Sequence, residues 1–274
     1  MAGYLRPACL GEAVAALAAR PAVVLAGGTD YFPARVGRVC DEPLLDISGL
    51  AELRGMAATD AGWRFGALTT WSEIIAAELP PLFRGLKSAA REVGGLQIQN
   101  RGTIGGNLCN ASPAADGIPN WLALDAEVEL VSARGSRRLP VADFVLGNRK
   151  TSRLEDEVLA AVHIPRPRHP SRSTFHKLGA RRYLVISIVM VAAVAEFAPD
   201  GTVARARVAV GAASAAARRL PSLEQRLLGR RPDPSLVAAG DLDVLSPIDD
   251  VRAPAAYRYD AALTLVRRAL ADLA

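Results

Sequence analysis

The sequence predicts an α+β chain built from two or three structural units. Its 274 residues correspond to about two domains at the usual ~150 residues each. Strand and helix patterns alternate up to a proline-rich, charged breaker, IPRPRH, at 164–169, which is typical of a domain boundary. Beyond it, two β-rich runs flank the Pro-Asp-Gly turn at 199–201, which indicates a hairpin and hence an antiparallel sheet.

The composition indicates a globular core. Half of the residues are hydrophobic and 22% are charged, which excludes disorder as the main state. The longest apolar run, Tyr183 to Ala195, is shorter than the ~20 residues of a membrane span, so we expect a core segment and no membrane span. Glu12 interrupts the apolar run near the N-terminus, which argues against a signal peptide and for a cytoplasmic protein.

The charged and metal-binding residues exclude several classes of protein. The net charge of +5 is spread over isolated arginine pairs, without the basic runs or interleaved aromatic residues of nucleic-acid proteins. Cys9, Cys40 and Cys109 are far apart and form no CxxC pair. The sequence therefore predicts no nucleic-acid partner, and no zinc or iron–sulfur site in this chain.

The first predicted unit covers residues 1–53. An Ala-rich helix at 11–20 is followed by a strand at 22–28 that ends in a Gly pair, and a second strand is predicted at 44–48. These elements predict a small βαβ unit.

The second predicted unit covers residues 54–165. A strand and turn at 63–71 lead to a helix at 72–79, with Ser72 as a plausible cap and Pro80-Pro81 as its end. A further helix at 82–93 stops at Gly94-Gly95. We expect a mixed sheet here.

The third predicted unit covers residues 170–274. The hairpin forms its antiparallel sheet, and the periodicity from Ser222 through Leu273 predicts helices packed on it.

Two glycine-rich turns are the candidate binding elements. AGGTD, residues 26–30, follows a predicted strand, and GTIGGN spans 102–107. Each by itself is more often only a tight turn. Neither is a GxGxxG or Walker motif, which argues against a nicotinamide domain or a P-loop ATPase. Two such turns without a lysine fit a diphosphate held by backbone amides, as in bound FAD.

Several segments carry a family resemblance that runs nearly end to end. They are AGGTD, QIQNRGTIGGNLCNASPAAD, LALDAEVEL, LGNRKTSRLEDEVLAAVHIP, FHKLGARRYLVISI and LSPIDDVRAPAAYR. Together they resemble the FAD-binding medium subunit of the molybdenum hydroxylases, the group that includes xanthine dehydrogenase and carbon monoxide dehydrogenase.

The resemblance implies a fold and a division of labour. The fold would be the two-subdomain FAD-binding fold of the PCMH type, followed by a C-terminal domain of the carbon monoxide dehydrogenase flavoprotein type. The chain would be an oxidoreductase subunit, incomplete alone, in a dimer of heterotrimers. A large subunit would hold molybdopterin, a small one two [2Fe–2S] clusters, and FAD in this chain would pass electrons to an external acceptor.

The resemblance also implies the residues that contact FAD. The diphosphate and ribityl region would be wrapped by Val24, Leu25, Ala26, Gly27, Gly28, Thr29, Asp30 and Tyr31. A second set of amides and a hydroxyl would come from Thr103, Ile104, Gly105, Gly106 and Asn107. Four single positions complete the site: Asp116 as the acidic FAD-binding position, Leu159 on the flavin edge, Lys177 near the isoalloxazine, and Tyr183 stacking on it or gating it.

Each single position has a plainer interpretation. Asp116 could cap the helix that begins at Gly117, and Leu159 could be strand core. Lys177 could be a solvated lysine, and Tyr183 could pack in the core. His176 and Cys109 are adjacent to these motifs but receive no role.

Two other functions remain open at this point. One is a self-sufficient FAD-dependent reductase or oxidase of the same fold, as in UDP-N-acetylenolpyruvoylglucosamine reductase, although the sequence shows no convincing catalytic Ser, Glu and Arg set. The other is a scaffold that has lost its flavin, against which the intact turns argue. Flavin absorbance separates the scaffold from the enzymes, and copurification of an iron–sulfur protein separates the two enzymes.

Overall fold

The computed structural model describes residues 3–274, so the first two residues of the predicted 1–53 unit lie outside the described residues. Three sheets of three or more strands follow one another along the chain, and a two-stranded hairpin accompanies the second. The first is parallel and three-stranded, and the others are antiparallel, with five and four strands.

The three-stranded sheet has the order β1-β3-β2. Its elements are β1 Tyr4–Leu5, α1 Leu10–Ala19, β2 Val23–Leu25 and β3 Leu44–Asp46. Helix α1 buries Ala13, Val14 and Leu17 against Leu45 of the central strand. Strand β2 pairs with this packed central strand and ends at the first glycine-rich turn.

The five-stranded sheet has the order β4-β5-β10-β6-β7. The strands of this region are β4 Met56–Thr59, β5 Gly62–Gly66, β6 Glu127–Ser132, β7 Gly135–Pro140, β8 Val145–Gly147, β9 Lys150–Thr151 and β10 Val158–Pro165. β8 and β9 pair separately as a short hairpin. A bulge shifts the pairing of β10 with β6 between Leu159 and Ala161, and bulges bend a strand locally.

Helices cover one face of the five-stranded sheet. They are α2 Trp71–Ala76, α3 Arg84–Glu92, α5 Ile104–Asn110, α6 Gly117–Ala123 and α7 Val141–Phe144, whereas the short helix α4 Leu96–Gln99 buries none of its residues. Phe65 and Val128 of the sheet share a buried cluster with Trp71, Leu86 and Trp121 of the helices.

The C-terminal sheet has the order β11-β12-β13-β14. Its elements are β11 Ser171–Leu178, β12 Val189–Phe197, β13 Val203–Gly211, β14 Arg218–Arg219, α8 Pro221–Leu227 and α9 Ala255–Leu273. Ala192 and Val194 face the helices of the preceding layer, whereas Val191 and Ala193 face α8 and α9. β12 is buried on both faces, which explains its continuous apolar run.

The predicted hairpin is confirmed, because β12 and β13 pair antiparallel around residues 198–202. Two other local predictions, the helical tail and the start of helix α2, are wrong. The tail is not helical between Leu228 and Pro254, apart from 3₁₀ turns at Pro234–Leu236 and Ala239–Leu242, because prolines at 232, 234 and 247 interrupt it. Three further 3₁₀ turns lie at Pro33–Arg35, Ala51–Leu53 and Pro81–Phe83.

Helix α2 begins earlier than predicted. Its N-cap is Thr70, whose hydroxyl accepts from the Glu73 N–H while the Glu73 carboxylate accepts from the Thr70 N–H. Ser72 instead donates its hydroxyl to Asn100 Oδ1 at 2.5 Å. The reciprocal capping box satisfies two N–H groups, one more than a lone serine would satisfy.

Candidate functional site

The first glycine-rich turn leaves the end of β2 and forms one wall of a cleft. Gly28 has a φ of +72°, in the left-handed region that glycine adopts at little cost. A Cβ at Gly27 would lie 1.9 Å from the carbonyl oxygen of Arg101. The turn therefore packs on the backbone just before the second glycine block, and a side chain at 27 would have no space.

The backbone of this turn offers free donors to the cleft. The N–H groups of residues 27–31 donate no hydrogen bond to any residue in the described part of the chain. All five residues line the cleft. Successive free N–H groups in a turn favour an anion, so the turn can hold a diphosphate without a cationic side chain.

The far end of the turn is fixed by side chains. Tyr31 donates its hydroxyl to Glu42 Oε1 at 2.7 Å, and the Arg35 guanidinium carbon lies 3.8 Å from the centre of the Tyr31 ring. Arg35 also donates to Glu42 at 2.8 Å. Burial and the hydrogen bond to Glu42 raise the pKa of Tyr31 above its ordinary value. The phenol is therefore a neutral donor that anchors the turn.

The second glycine block is the start of α5 and differs from the first turn. Thr103 is the N-cap, and its hydroxyl accepts from the Gly106 N–H at 3.1 Å. The N–H groups of Ile104, Gly105 and Asn107 donate to Thr69, Ala67 and Thr103 carbonyls. Four of the five amides expected from residues 103–107 are thus already paired within the chain, because α5 docks on the end of β5 and its continuation, and only the Thr103 N–H donates to no group among the described residues.

The side chains of this block remain available to a ligand. Thr103 accepts one hydrogen bond and keeps its own O–H as a donor. Asn107 lines the cleft, and its buried Oδ1 has no hydrogen-bond partner among the described residues. A buried amide oxygen without a partner is costly, which favours a ligand that donates a hydrogen bond there.

The cleft runs between the three-stranded sheet and the five-stranded layer as three adjoining cavities. Their volumes are about 530, 450 and 280 Å³, and Ala26 lines all three. The predicted residues that line them are Val24, Leu25, Ala26, Gly27, Gly28, Thr29, Asp30, Tyr31, Thr103, Gly105, Gly106, Asn107 and Leu159. Ile104, Asp116, Lys177 and Tyr183 do not line any of the three cavities.

Asp116 and Lys177 form a buried network beside the cleft. Lys177 Nζ donates to Asp116 Oδ2 at 2.7 Å and to the Glu92 carbonyl at 3.0 Å. Ser187 Oγ donates to the other oxygen, Oδ1, at 2.5 Å. Burial raises the pKa of Asp116, although Lys177 and Ser187 oppose this. The lysine is not solvated, since only 5% of its side chain is exposed.

The Asp116 side chain does not cap helix α6, although the residue stands at the N-cap position. Asp116 occupies the N-cap position of α6, but its side chain makes no capping hydrogen bond. Both carboxylate oxygens are used by partners far along the chain.

The other single positions differ in exposure. Leu159 is buried on β10 at the bulge and lines the largest cavity. Tyr183 is 63% exposed, so core packing is excluded for it, and the Arg182 guanidinium carbon lies 5.3 Å from its ring centre. Ile104 is fully buried in the core, so only its position in the backbone connects it to the cleft.

Sequence reasoning missed several cleft residues. Arg149 lines two of the cavities, and its Nη2 lies 3.2 Å from Asp30 Oδ2. The third cavity is polar and includes Arg6, Arg54 and Arg101. Arg149 stands in the motif LGNRKTS and was within reach of motif analysis, whereas the other arginines come from scattered loops.

Cys109 shows no sign of chemical activation, and His176 does not line the cleft. Burial raises the pKa of the Cys109 thiol to about 11, which keeps it protonated and unreactive at neutral pH. His176 Nε2 lies 2.9 Å from Asp272 Oδ2, on β11 against α9.

Two features are absent from residues 3–274. They contain no group of three or more His, Cys, Asp and Glu side chains arranged to hold a metal ion. Within the same range, no helix has the length and apolar character needed to cross a membrane.

Comparison with known families assigns both halves of the chain. Residues 1–167 match the model of the FAD binding domain in molybdopterin dehydrogenase. Residues 174–273 match the CO dehydrogenase flavoprotein C-terminal domain.

Similar proteins of known name cover most of the chain. The xanthine dehydrogenase FAD-binding subunit of Escherichia coli O157:H7 is 36% identical over 230 residues, which cover 82% of this chain and 78% of that protein. The carbon monoxide dehydrogenase medium chain of Hydrogenophaga pseudoflava is 31% identical over 277 residues, which cover 97% and 95% of the two chains.

Solved structures have the same fold. Carbon monoxide dehydrogenase from Hydrogenophaga pseudoflava, in a form that lacks the Mo-pyranopterin moiety of the molybdenum cofactor, superposes with a TM-score of 0.89 at 30% identity, covering 98% of this chain and 96% of that chain. Quinoline 2-oxidoreductase from Pseudomonas putida 86 gives a TM-score of 0.88 at 26% identity, with 100% and 96% coverage.

Proposed function

Because the chain belongs to the family of FAD-binding medium subunits of the molybdenum hydroxylases, we propose that it is the electron-transfer subunit of such an enzyme. It would take electrons from [2Fe–2S] clusters on a partner and pass them to an external acceptor. The free N–H groups of residues 27–31 over the cleft carry the proposal, since they provide donors for a diphosphate without a catalytic cation.

The residues present fit FAD. The turn at 27–31 supplies the diphosphate donors, and Thr103 and Asn107 supply a hydroxyl and an unpaired amide oxygen. FAD, when bound, supplies the redox chemistry, and the protein supplies binding, orientation and the electrostatic surroundings.

The two ends of the cleft suggest an orientation for the cofactor. One end combines apolar walls, formed by Pro21, Ala22, Pro43 and Leu159, with four charged side chains from the 149–157 segment, and the apolar walls suit the adenine. The other end includes Val93, next to Glu92, whose carbonyl accepts from Lys177. The isoalloxazine would lie there, toward the C-terminal sheet. Leu159 would then meet the adenine end and not the flavin edge.

At the isoalloxazine end this chain's own residues fix a buried charge pair. Asp116 and the Glu92 carbonyl hold the Lys177 ammonium in one place. A fixed cation beside a flavin would favour the anionic reduced form, and the carboxylate partner moderates that effect. Tyr183, exposed on the loop after β11, would shield this end from water.

The proposed partners follow from the relatives. Two of them are a FAD-binding subunit and a medium chain, which are components of larger enzymes, and the matching carbon monoxide dehydrogenase is described by its molybdenum cofactor. In the proposed enzyme a small subunit would carry the [2Fe–2S] clusters and a large subunit the molybdopterin, in a dimer of heterotrimers.

The first test is flavin binding by the full chain. Its absorbance spectrum and release of the flavin after denaturation should identify FAD. Gly28→Ala should weaken FAD affinity by at least about tenfold, because a Cβ there would lie 2.8 Å from the Phe32 ring at a φ of +72°. Gly37→Ala is the matched control, since Gly37 has a similar φ of +76° and a Cβ there would meet no atom within 4 Å.

Two outcomes would contradict the proposal. A colourless chain that takes up no added FAD, even when coexpressed with the molybdenum and iron–sulfur subunits, would exclude a flavin role. Full flavin binding and turnover by the chain alone, without copurifying subunits, would favour a self-sufficient flavoenzyme.

A further inference from the structure

The C-terminal motif LSPIDDVRAPAAYR, residues 245–258, lies outside the cleft but builds a compact ion cluster. Asp250 accepts from two arginines of the same motif: Arg252 Nη2 donates to Oδ2 at 2.5 Å, and Arg258 Nη2 donates to Oδ1 at 2.6 Å. Arg258 is completely buried at the start of α9. A buried arginine requires hydrogen-bond acceptors for its N–H groups. The acceptors in this cluster show which segments of the chain it holds together.

One further nitrogen of each arginine, Nη1, donates to the backbone near Asp116. Arg252 Nη1 donates to the Ser187 carbonyl at 2.7 Å. Arg258 Nη1 donates to the Ile188 carbonyl at 2.5 Å. The cluster thus fixes two consecutive carbonyls at the point where the exposed loop after β11 enters β12.

Arg258 is also linked to the segment that precedes Asp116 in the sequence. Arg258 Nη1 also donates to the Ala212 carbonyl at 2.9 Å, and the Ala212 N–H donates to the Pro113 carbonyl at 2.9 Å. Pro113 lies three residues before Asp116. The Arg258 guanidinium therefore binds the 187–188 segment directly and reaches the 113–116 segment through Ala212. These two segments meet at the Asp116 carboxylate.

Ser187 is the point where this backbone scaffold meets the buried carboxylate. Its side chain is fully buried, and its hydroxyl donates to Asp116 Oδ1 at 2.5 Å. Fixing the Ser187 carbonyl fixes the direction of its Cβ, and hence of the hydroxyl. A small movement of residue 187 would break a hydrogen bond to a charged group, the stronger kind of hydrogen bond.

We infer that Asp250, Arg252 and Arg258 are positioning residues: they hold Ser187 and the 113–116 segment so that the Ser187 hydroxyl donates to Asp116. The consequence for FAD rests on the proposed function, in which Asp116 and Lys177 lie beside the isoalloxazine end. Through this contact, a cluster of the C-terminal domain would set the strength with which the cleft retains FAD.

The titration of Asp116 is the direct readout. The groups that act on it are Lys177 of β11, Ser187 before β12, and Glu92 at the end of α3, whose charge raises the pKa of Asp116. Ser187 stabilises the charged form. Ser187→Ala and Arg252→Gln should both raise the pKa of Asp116, and the double variant should raise it no further than Ser187→Ala alone.

The experiment follows the Asp116 carboxyl carbon by ¹³C NMR in the labelled full chain, together with FAD affinity by flavin fluorescence. Arg252 is partly exposed, so its replacement leaves the core intact. Asp250→Asn is a second variant with the same expected direction. Arg205→Gln is the matched control, because it removes an arginine from a different aspartate, Asp125. FAD affinity should fall about tenfold in the cluster variants and stay unchanged in the control.

Folded Arg252→Gln and Asp250→Asn variants in which Asp116 titrates as in the parent chain would overturn the inference. A raised pKa of Asp116 in a chain that binds no FAD at all would support the positioning role while refuting the proposed function. The two hypotheses therefore fail separately.

Discussion

At the scale of single residues, the wall of the cleft depends on the lack of a side chain at position 27. The hypothetical Cβ of Gly27 would lie 1.9 Å from the Arg101 carbonyl oxygen, and backbone on both sides leaves no flexible atom to move away. Close backbone packing of this kind joins the first glycine-rich turn to the segment before α5.

Gly27→Ala should therefore push the first glycine-rich turn, residues 26–30, away from the second, residues 102–107. We expect a loss of about 1–3 kcal/mol in the free energy of unfolding and weaker FAD retention, measured by urea denaturation and flavin release. Gly11→Ala on α1 is the control, because its Cβ would only touch the Cys9 sulfur at 3.8 Å, and alanine is the better helix former. Equal stability of the two variants would contradict the packing described here.

Glu157 gives a pH-dependent prediction at the same scale. Burial acts to raise its pKa, but hydrogen bonds from Arg137 at 2.6 Å and from the Leu154 N–H at 2.7 Å outweigh burial and lower it. A carboxylate with a lowered folded pKa stabilises the protein above its unfolded pKa, and that stability is lost as the pH falls through the folded value.

Glu157→Gln should therefore cost about 2 kcal/mol at neutral pH, and the difference from the parent chain should shrink in acid, below the usual glutamate range. Urea denaturation at several pH values measures this. Glu155→Gln, two residues away and exposed, should show no such pH dependence. A constant difference at all pH values would mean that the charge of Glu157 is not the cause.

At the scale of elements, helix starts are set by reciprocal contacts more than by residue type. Both Thr70 and Ser72 are plausible caps, but only Thr70 has extended backbone angles and a Glu three residues later that returns the hydrogen bond. Sequence analysis assigned residues 63–71 to a strand and turn and therefore chose Ser72 as the cap, whereas the strand ends at Gly66 and the helix already begins at Trp71.

Thr70→Ala should lower the free energy of unfolding by about 1–2 kcal/mol, whereas Ser72→Ala should change it by less than about 0.5 kcal/mol. Thermal or urea denaturation of the two variants provides the comparison, and Thr70→Ser should retain most of the stability. A larger loss of stability in Ser72→Ala than in Thr70→Ala would contradict Thr70 as the cap and favour Ser72.

At the scale of the whole molecule, one aspartate joins the FAD-binding part to the C-terminal sheet. Asp125, between α6 and β6, lies 2.7 Å from Arg205, 3.1 Å from Arg207 and 2.8 Å from Arg219. Arg207 is almost fully buried and also contacts Glu196 at 2.9 Å. Removing one partner from buried ions is more costly than breaking an exposed pair.

Asp125→Asn should therefore destabilise the chain by about 3 kcal/mol, with loss of the C-terminal sheet and of tryptophan packing in one transition. All three tryptophans, Trp63, Trp71 and Trp121, lie in the FAD-binding part, so their fluorescence and the circular dichroism of the whole chain report on different regions. Asp156→Asn, in an exposed pair with Arg134, should have a much smaller effect, because exposed ion pairs contribute little to stability. Two separate transitions in the parent chain would show that this junction does not couple the two parts.

The sequence by itself determined the fold class, the two glycine-rich segments and the buried strand β12. These features depend on local sterics and on periodicity, which the chain carries at each position: glycine where φ is positive at residue 28, and apolar residues wherever a strand is covered on both faces. The family resemblance depends on the same short motifs, and the family itself is confirmed by the comparisons.

Only the tertiary structure decided which groups are free and which are paired. It left the amides of residues 27–31 without acceptors and satisfied those of Gly105 and Asn107 within the chain. It also brought Lys177 and Ser187 onto Asp116 across 61 and 71 positions of sequence. The physical reason is that a hydrogen bond depends on the distance and angle between two groups, and packing sets these for residues far apart along the chain.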